Sequence, residues 1–158
     1  MHEKLHSDLV FRAAAADDLP AILTLLAQPD MDDGRVLGLA EARRLYERLA
    51  QNPDLRLSVA ERDGRIVGTF TLLILRTLGH AGTPSGVIED IVVAGAARQQ
   101  GVGAAMIAEA LRLCREQGCY KLALSSNLRR DGAHAFYDRL GFERHGYSFV
   151  IDPAATGN

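Results

Sequence analysis

The sequence predicts an α+β fold: one domain on a mixed, mostly antiparallel sheet of about six or seven strands, flanked by about four helices. Two observations carry this. "LRLSVAERDGRIVGTFTLLIL" (Leu55 to Leu75) reads as a β-hairpin, because Asp63-Gly64 supplies the positive φ of a tight primed turn. Further on, a strand in "VIEDIVV", a helix from about Val102 to Gln117 and a strand in "YKLALSS" (Tyr120 to Ser126) form a unit whose crossover length requires parallel, right-handed pairing. Antiparallel elements first and a parallel unit later make the sheet mixed.

The elements follow in order. "LVFRAA" (Leu9 to Ala14) is a short strand, and Asp17 is placed to cap a helix reaching about Gln28, with Leu19, Ile22, Leu23 and Leu26 as its apolar stripe. "QPDMDDGRVLG" is a loop, broken by Pro29, Gly34 and Gly38. "LAEARRLYERLA" is a second helix, with Ala42, Leu45, Tyr46 and Leu49 on one face and Pro53 beyond its end. The hairpin and the loop "GHAGTPSG" lead into the strand of the parallel unit. The helix after it carries Glu109, Arg112 and Glu116 as its polar stripe and is otherwise apolar from Val102 to Cys114, the pattern of a helix lying on a sheet. Gly118 closes it. A helix from about Gly132 to Leu140 is closed by Gly141, and "YSFVI" (Tyr147 to Ile151) is the final strand.

Composition bounds the function. The 158 residues suffice for one domain with a core, residues 1–158, of which 1–8 read as a flexible tail. Hydrophobic residues make up 47% and the formal charge is -2, so neither a membrane protein nor a nucleic-acid-binding surface is indicated. "MHEKLHSDLV" lacks the apolar centre of a secretory signal. Cys114 and Cys119 fit reduced thiols in a cytoplasm better than a disulfide or a zinc site; no metal is expected, and His2 and His6 read as spectators.

The junction "IEDIVVAGAARQQGVGAAM" (Ile88 to Met106) reads as an anion site. The first N–H groups of a helix have no partner, and its dipole adds partial positive charge. Gln99 to Ala104 offer several N–H groups at once, Gly101 and Gly103 carry no Cβ, and Arg98 adds a guanidinium. A Walker loop is excluded because no lysine follows Gly103. A dinucleotide fingerprint lacks its third glycine, where Met106 stands, and "YKLALSS" ends without an acid for a ribose. The remaining pattern is [Q/R]-x-x-G-x-[G/A], met by Arg98, Gly101 and Gly103.

In that context, strand before, helix and parallel strand after, then "AFYDRLGF", the chain resembles the GNAT superfamily of acetyl-CoA-dependent N-acetyltransferases. The resemblance is clear from Val87 to Ile151 and departs at Gln99, where many members have glycine. It implies an acetyl-CoA-binding core over residues 87–142, with acetyl-CoA as cosubstrate. Arg98, Gln99, Gln100, Gly101, Val102, Gly103 and Ala104 would hold the pyrophosphate. Ile91, Val92 and Val93 would pair with the pantetheine arm where the sheet splays, and a backbone N–H there would polarise the acetyl carbonyl. Asn127 would lie near the arm, and Tyr137 would border the cofactor and protonate the departing thiolate.

The chemistry asks for two proton-handling groups: an amine must lose a proton before attack, and a thiolate leaves better when protonated. Glu89 and Asp90 are successive on a strand and are expected on opposite faces. Glu89 aligns with the family's acid near the amine and is the candidate base, acting through water; pairing with an arginine is the competing role. Tyr137 shares the inward stripe of Ala133, Phe136 and Leu140, which also suits a core aromatic.

The acceptor reading points to a primary amine of a small molecule. "IEDIVV" and "CYK" resemble the glucosamine-6-phosphate branch, and "LSSNLRRDGAHAFYDRLGF" with "HGYSF" the aminoalkylphosphonate branch. Both take amines bearing a phosphoryl-type anion, which gives Arg129, Arg130 and His145 a role. Asp30, Asp32 and Asp33 would favour a cationic amine if they faced the cleft, or form a solvated turn. A non-catalytic acyl-CoA sensor and a protein or peptide N-acetyltransferase are the alternatives. Homodimers are common in the superfamily.

Overall fold

The computed structural model describes residues 8–155. The tail read at 1–8, with His2 and His6, lies outside the described residues except for Asp8. The chain forms two compact units, Met1–Leu124 and Ser125–Asn158.

The first unit is built on one five-stranded sheet in the order β1 (Val10–Ala13), β2 (Leu55–Arg62), β3 (Arg65–Leu75), β4 (Ser85–Val93) and β5 (Leu122–Ala123). The first four strands pair antiparallel and β5 runs parallel to β4. The hairpin turn falls where the sequence puts it, with Asp63 at φ 52° and Gly64 at φ 71°. Helices α1 (Leu19–Leu26), α2 (Leu39–Leu49) and α3 (Val102–Glu116) complete the unit.

The two helices that pack on β3 and β4 are α1 and α3. Val59 of β2 clusters with Ile22 of α1 and with Ala14. Its partner across the ladder is Thr69, so the next residue, Gly68, points to the other face, where Met106 of α3 lies. Coverage of both faces explains why Ser58, Val59 and Ala60 are buried in succession, as are Gly68, Thr69 and Phe70. The buried polar Thr69 is satisfied by donating its hydroxyl to Ser58 O at 2.8 Å. On α3, Val102, Met106, Ile107, Ala110, Leu113 and Cys114 recur at helical spacing and are buried, while Arg112 pairs with Glu109 and Glu116 outside. Burial pushes the Cys114 thiol up to about 12, so it is neutral and unreactive at neutral pH.

Gly86 sets how closely α3 lies on β4. A Cβ there would stand 2.3 Å from Cys114 Sγ and 3.1 Å from the Leu122 side chain. Gly86→Ala is therefore expected to destabilise the fold by about 1–3 kcal/mol through overpacking, read from chemical denaturation; a change within experimental error would show that α3 is free to shift.

Several expectations are corrected. Asp17 does not cap α1: Asp18 holds the N-cap position, no side chain caps the helix, and Asp18 instead closes the short 3-10 turn Ala16–Asp18 before it. The Asp18 carboxylate accepts the Ala15 N–H at 2.7 Å and two donors of Arg12 at 2.6 and 2.9 Å. The Arg12 hydrogen bonds hold the Asp18 carboxyl below its ordinary range. On α1, Leu25 is buried, whereas Leu23 and Leu26 are only partly so. The sheet has five strands rather than six or seven. The missing strand is "YSFVI". In the second unit Tyr147, Phe149, Val150 and Ile151 are 91, 91, 93 and 82% exposed, and no ladder among the described residues includes them. An apolar, β-prone pattern marks a segment able to pair, but a strand also needs an unpaired edge alongside.

The second unit contains α4 (Asp131–Arg139). A turn leads into it: Asn127 Oδ1 accepts the Arg129 N–H at 2.9 Å, and Asn127 O accepts the Arg130 N–H at 3.0 Å. Beyond α4, Arg144 pairs with Asp138 at 2.7 Å.

Candidate functional site

The end of β4 and the start of α3 bring together the residues expected to hold an anion. α3 begins at Val102, and its first backbone hydrogen bond runs from Ala105 N–H to Gly101 O at 3.0 Å. Among the described residues, the N–H groups from Gln99 to Ala104 meet no acceptor in the chain. No side chain caps the helix. Gly101 takes φ 80° and ψ 5°, and a Cβ there would meet no atom within 4 Å. Packing therefore does not require this glycine. The left-handed backbone does, and the space above it is open. The result is a run of oriented, unpaired donors at the positive end of a 15-residue helix, an arrangement complementary to a phosphate group.

Gln99, where the sequence departs from the family pattern, adopts φ 60°. This explains the glycine elsewhere: the position is left-handed, where a side chain costs about 1–2 kcal/mol. Gln99→Gly is expected to raise stability by about 0.5–1 kcal/mol, after the greater freedom of the unfolded chain is subtracted, with CoA affinity unchanged. Thermal melts with and without CoA check this; a destabilised variant would mean that the Gln99 side chain holds the loop.

Two arginines flank this donor run, each tied by a glutamine. Arg98 Nη2 donates to Gln28 Oε1 at 2.9 Å and to the Asp30 carboxylate at 3.1 and 3.2 Å. Arg62, at the end of β2, donates from Nη1 to Gln100 Oε1 at 3.0 Å, and Gln100 Nε2 donates back to Ala96 O at 3.0 Å. Arg62 Nε is buried without a partner among the described residues. The sequence reading missed Arg62 and Gln28, because each reaches the donor run across long stretches of chain and neither lies in a motif.

β4 does not run as a plain strand. Thr69 faces Val92 and Thr71 faces Glu89, so β4 holds one extra residue between those pairs, with Asp90 at φ 52°. This bulge breaks the alternation that put Glu89 and Asp90 on opposite faces; both carboxylates are exposed. Glu89 holds no hydrogen bond or ion pair among the described residues, so the arginine pairing weighed for it is not formed. The parallel ladder ends at Val87↔Ala123, so Ile91, Val92 and Val93 have no β5 partner.

In the acidic loop, Asp30 pairs with Arg98 and Asp32 with Arg35 at 2.7 Å. These contacts offset two of its three carboxylates. In the second unit, Tyr137 packs edge-on against Phe136 and Phe142, with ring centroids 5.3 and 5.6 Å away. Burial raises its phenol above the ordinary value, so the acid form prevails at neutral pH. Its hydroxyl makes no hydrogen bond among the described residues. Asn127 Oδ1 is taken by its own turn, and His134 Nε2 lies 2.8 Å from Asn127 O. Arg129, Arg130 and His145 are exposed, and none holds an ion pair among the described residues. No group of three His, Cys, Asp or Glu among the described residues could hold a metal, and no helix there is long and apolar enough to cross a membrane.

A five-stranded mixed sheet, with α3 starting on a run of unpaired N–H groups at the end of β4, is the arrangement that comparison with known proteins assigns to a class. Residues 21–142 match the model of the acetyltransferase (GNAT) family, and the chain belongs to that family. It is an acetyl-CoA-dependent N-acetyltransferase. It is 30% identical over 149 residues to glucosamine 6-phosphate N-acetyltransferase of Trypanosoma brucei brucei, covering 92% of this chain and 96% of the relative. It is 33% identical over 99 residues to aminoalkylphosphonate N-acetyltransferase of Salmonella typhimurium, covering 63% of this chain and 64% of that relative. The crystal structure of an acetyltransferase from Trypanosoma brucei superposes with a TM-score of 0.78 at 30% identity, covering 92% of this chain and 99% of the other.

Proposed function

We propose that the protein transfers the acetyl group of acetyl-CoA directly to a primary amine on a small, cytoplasmic metabolite that carries a phosphate or phosphonate. The observation that carries this reading is the unpaired donor run from Gln99 to Ala104 beside Arg98, matched to a pyrophosphate in charge and hydrogen bonding. The named relatives act on glucosamine 6-phosphate and on aminoalkylphosphonates, and both acceptors are anionic amines. Exposed, unpaired Arg129 and Arg130 are available for such an anion. The local pairing of Asp30 and Asp32 weakens the case for a polycation.

In this reading the cofactor is held by Arg98, Gln99, Gln100, Gly101, Val102, Gly103 and Ala104 at its pyrophosphate, by Ile91, Val92 and Val93 along its arm, and by Asn127 and Tyr137. Glu89 takes the proton of the ammonium through a water, freeing the nitrogen lone pair to attack the acetyl carbonyl carbon. The carbon–sulfur bond then breaks, Tyr137 gives its phenolic proton to the thiolate, and the second proton of the nitrogen leaves through water to restore the phenol. The protein works as a homodimer, a reading supported by the run of large apolar side chains left exposed at Tyr147, Phe149, Val150 and Ile151.

The acceptor test compares amines with and without the anion. Glucosamine 6-phosphate or 2-aminoethylphosphonate is expected to give a kcat/KM at least tenfold above glucosamine or ethylamine. Equal values would remove the phosphoryl requirement. Acetylation of peptide N-termini or lysines in preference to all small amines would favour the peptide acetyltransferase reading.

A further inference from the structure

Gln28 is positioned as a joint between three parts of the fold. Its Nε2 donates to Leu25 O at 3.1 Å, at the end of α1, and to Val93 O at 3.1 Å, at the end of β4. Its Oε1 accepts from Arg98 Nη2 at 2.9 Å. The orientation of the amide follows from its partners: flipped, the oxygen would face two carbonyls and the NH2 would face a guanidinium. Asp30 accepts from the same Nη2 at 3.1 and 3.2 Å. All the side-chain hydrogen bonds of Arg98 among the described residues pass through Nη2, so Nε and both donors of Nη1 are open.

We infer that Gln28 is a positioning residue for acetyl-CoA: through one carboxamide it ties Arg98 to the last carbonyl of β4, so the guanidinium is ordered before the pyrophosphate arrives. A free arginine loses rotamer freedom when it binds an anion, whereas one already held by Nη2 loses less and binds more tightly through Nη1 and Nε. The anchor on Val93 O also sets Arg98 at a fixed place relative to the end of the pantetheine track. The inference rests on the cradle reading of Gln99 to Ala104 and adds a residue outside every motif of the sequence.

The test is a double-mutant cycle read by calorimetric titration with CoA itself. Gln28→Met keeps the length and unbranched stem while removing all three hydrogen bonds. It is expected to weaken CoA binding by about three- to tenfold, with the KM for acetyl-CoA rising by the same factor and kcat and the amine KM unchanged. In an Arg98→Gln background the same change is expected to have less than about a twofold effect. Melting curves confirm that each variant is folded at the titration temperature. Unchanged or tighter CoA binding by Gln28→Met would overturn the inference, as would an equal loss with Arg98 absent, since Gln28 would then act only on the fold. Failure of the unsubstituted protein to bind CoA would sink the cradle reading, and the inference with it.

Discussion

Replacing Tyr137 with phenylalanine is expected to lower kcat by about a hundredfold to a thousandfold, the scale of a lost general acid, while CoA affinity changes by less than about twofold. The aromatic contacts with Phe136 and Phe142 are retained, so the fold is preserved and only the proton is removed. The pH dependence separates this role from a packing role. Burial places the phenol above its ordinary value of 10.0. A proton donor is active below its pKa and is lost as pH rises through it, so the basic limb assigned to Tyr137 lies above pH 10 and disappears in the phenylalanine variant. A variant with unchanged turnover would take Tyr137 out of the mechanism and leave it as a core aromatic.

The second large effect is expected at Gly101. Gly101→Val forces a β-branched residue to φ 80° and puts a side chain into the open space above the cradle. CoA affinity should fall by more than about tenfold, and stability by about 1–2 kcal/mol. Gly101→Asn divides these effects, because asparagine tolerates the left-handed region: stability should be nearly restored while binding stays weakened. If asparagine restores both, the glycine serves the backbone alone and the cradle does not approach its ligand there.

Much of this was legible in the sequence because it depends on local rules. Asp63-Gly64 can turn a hairpin without help from the rest of the chain, and the apolar spacing from Val102 to Cys114 determines which face of α3 meets the sheet. The start of α3 after Gly101 was legible for the same reason, since glycines and a helix start are local features. The parts that were not legible involve partners far apart in sequence or unusual backbone at ordinary residues. The bulge at Asp90 has no glycine to announce it, so two acids expected on opposite faces are both exposed. Gln28 reaches Val93 and Arg98 across 65 and 70 residues of sequence, so no spacing rule finds it. "YSFVI" has the composition of a strand, but composition does not supply the edge it would need.

The central claim is that the donors from Gln99 to Ala104 serve acetyl transfer to an amine. The most direct test is release of free CoA thiol from acetyl-CoA in the presence of amino sugar phosphates, aminoalkylphosphonates, polyamines, aminoglycosides and peptides, with CoA binding measured on the same sample. The expected result is amine-dependent thiol release, greatest with an amine that carries a phosphoryl-type anion. Measurable CoA binding without release from any amine would contradict the account and leave a protein that only senses acyl-CoA.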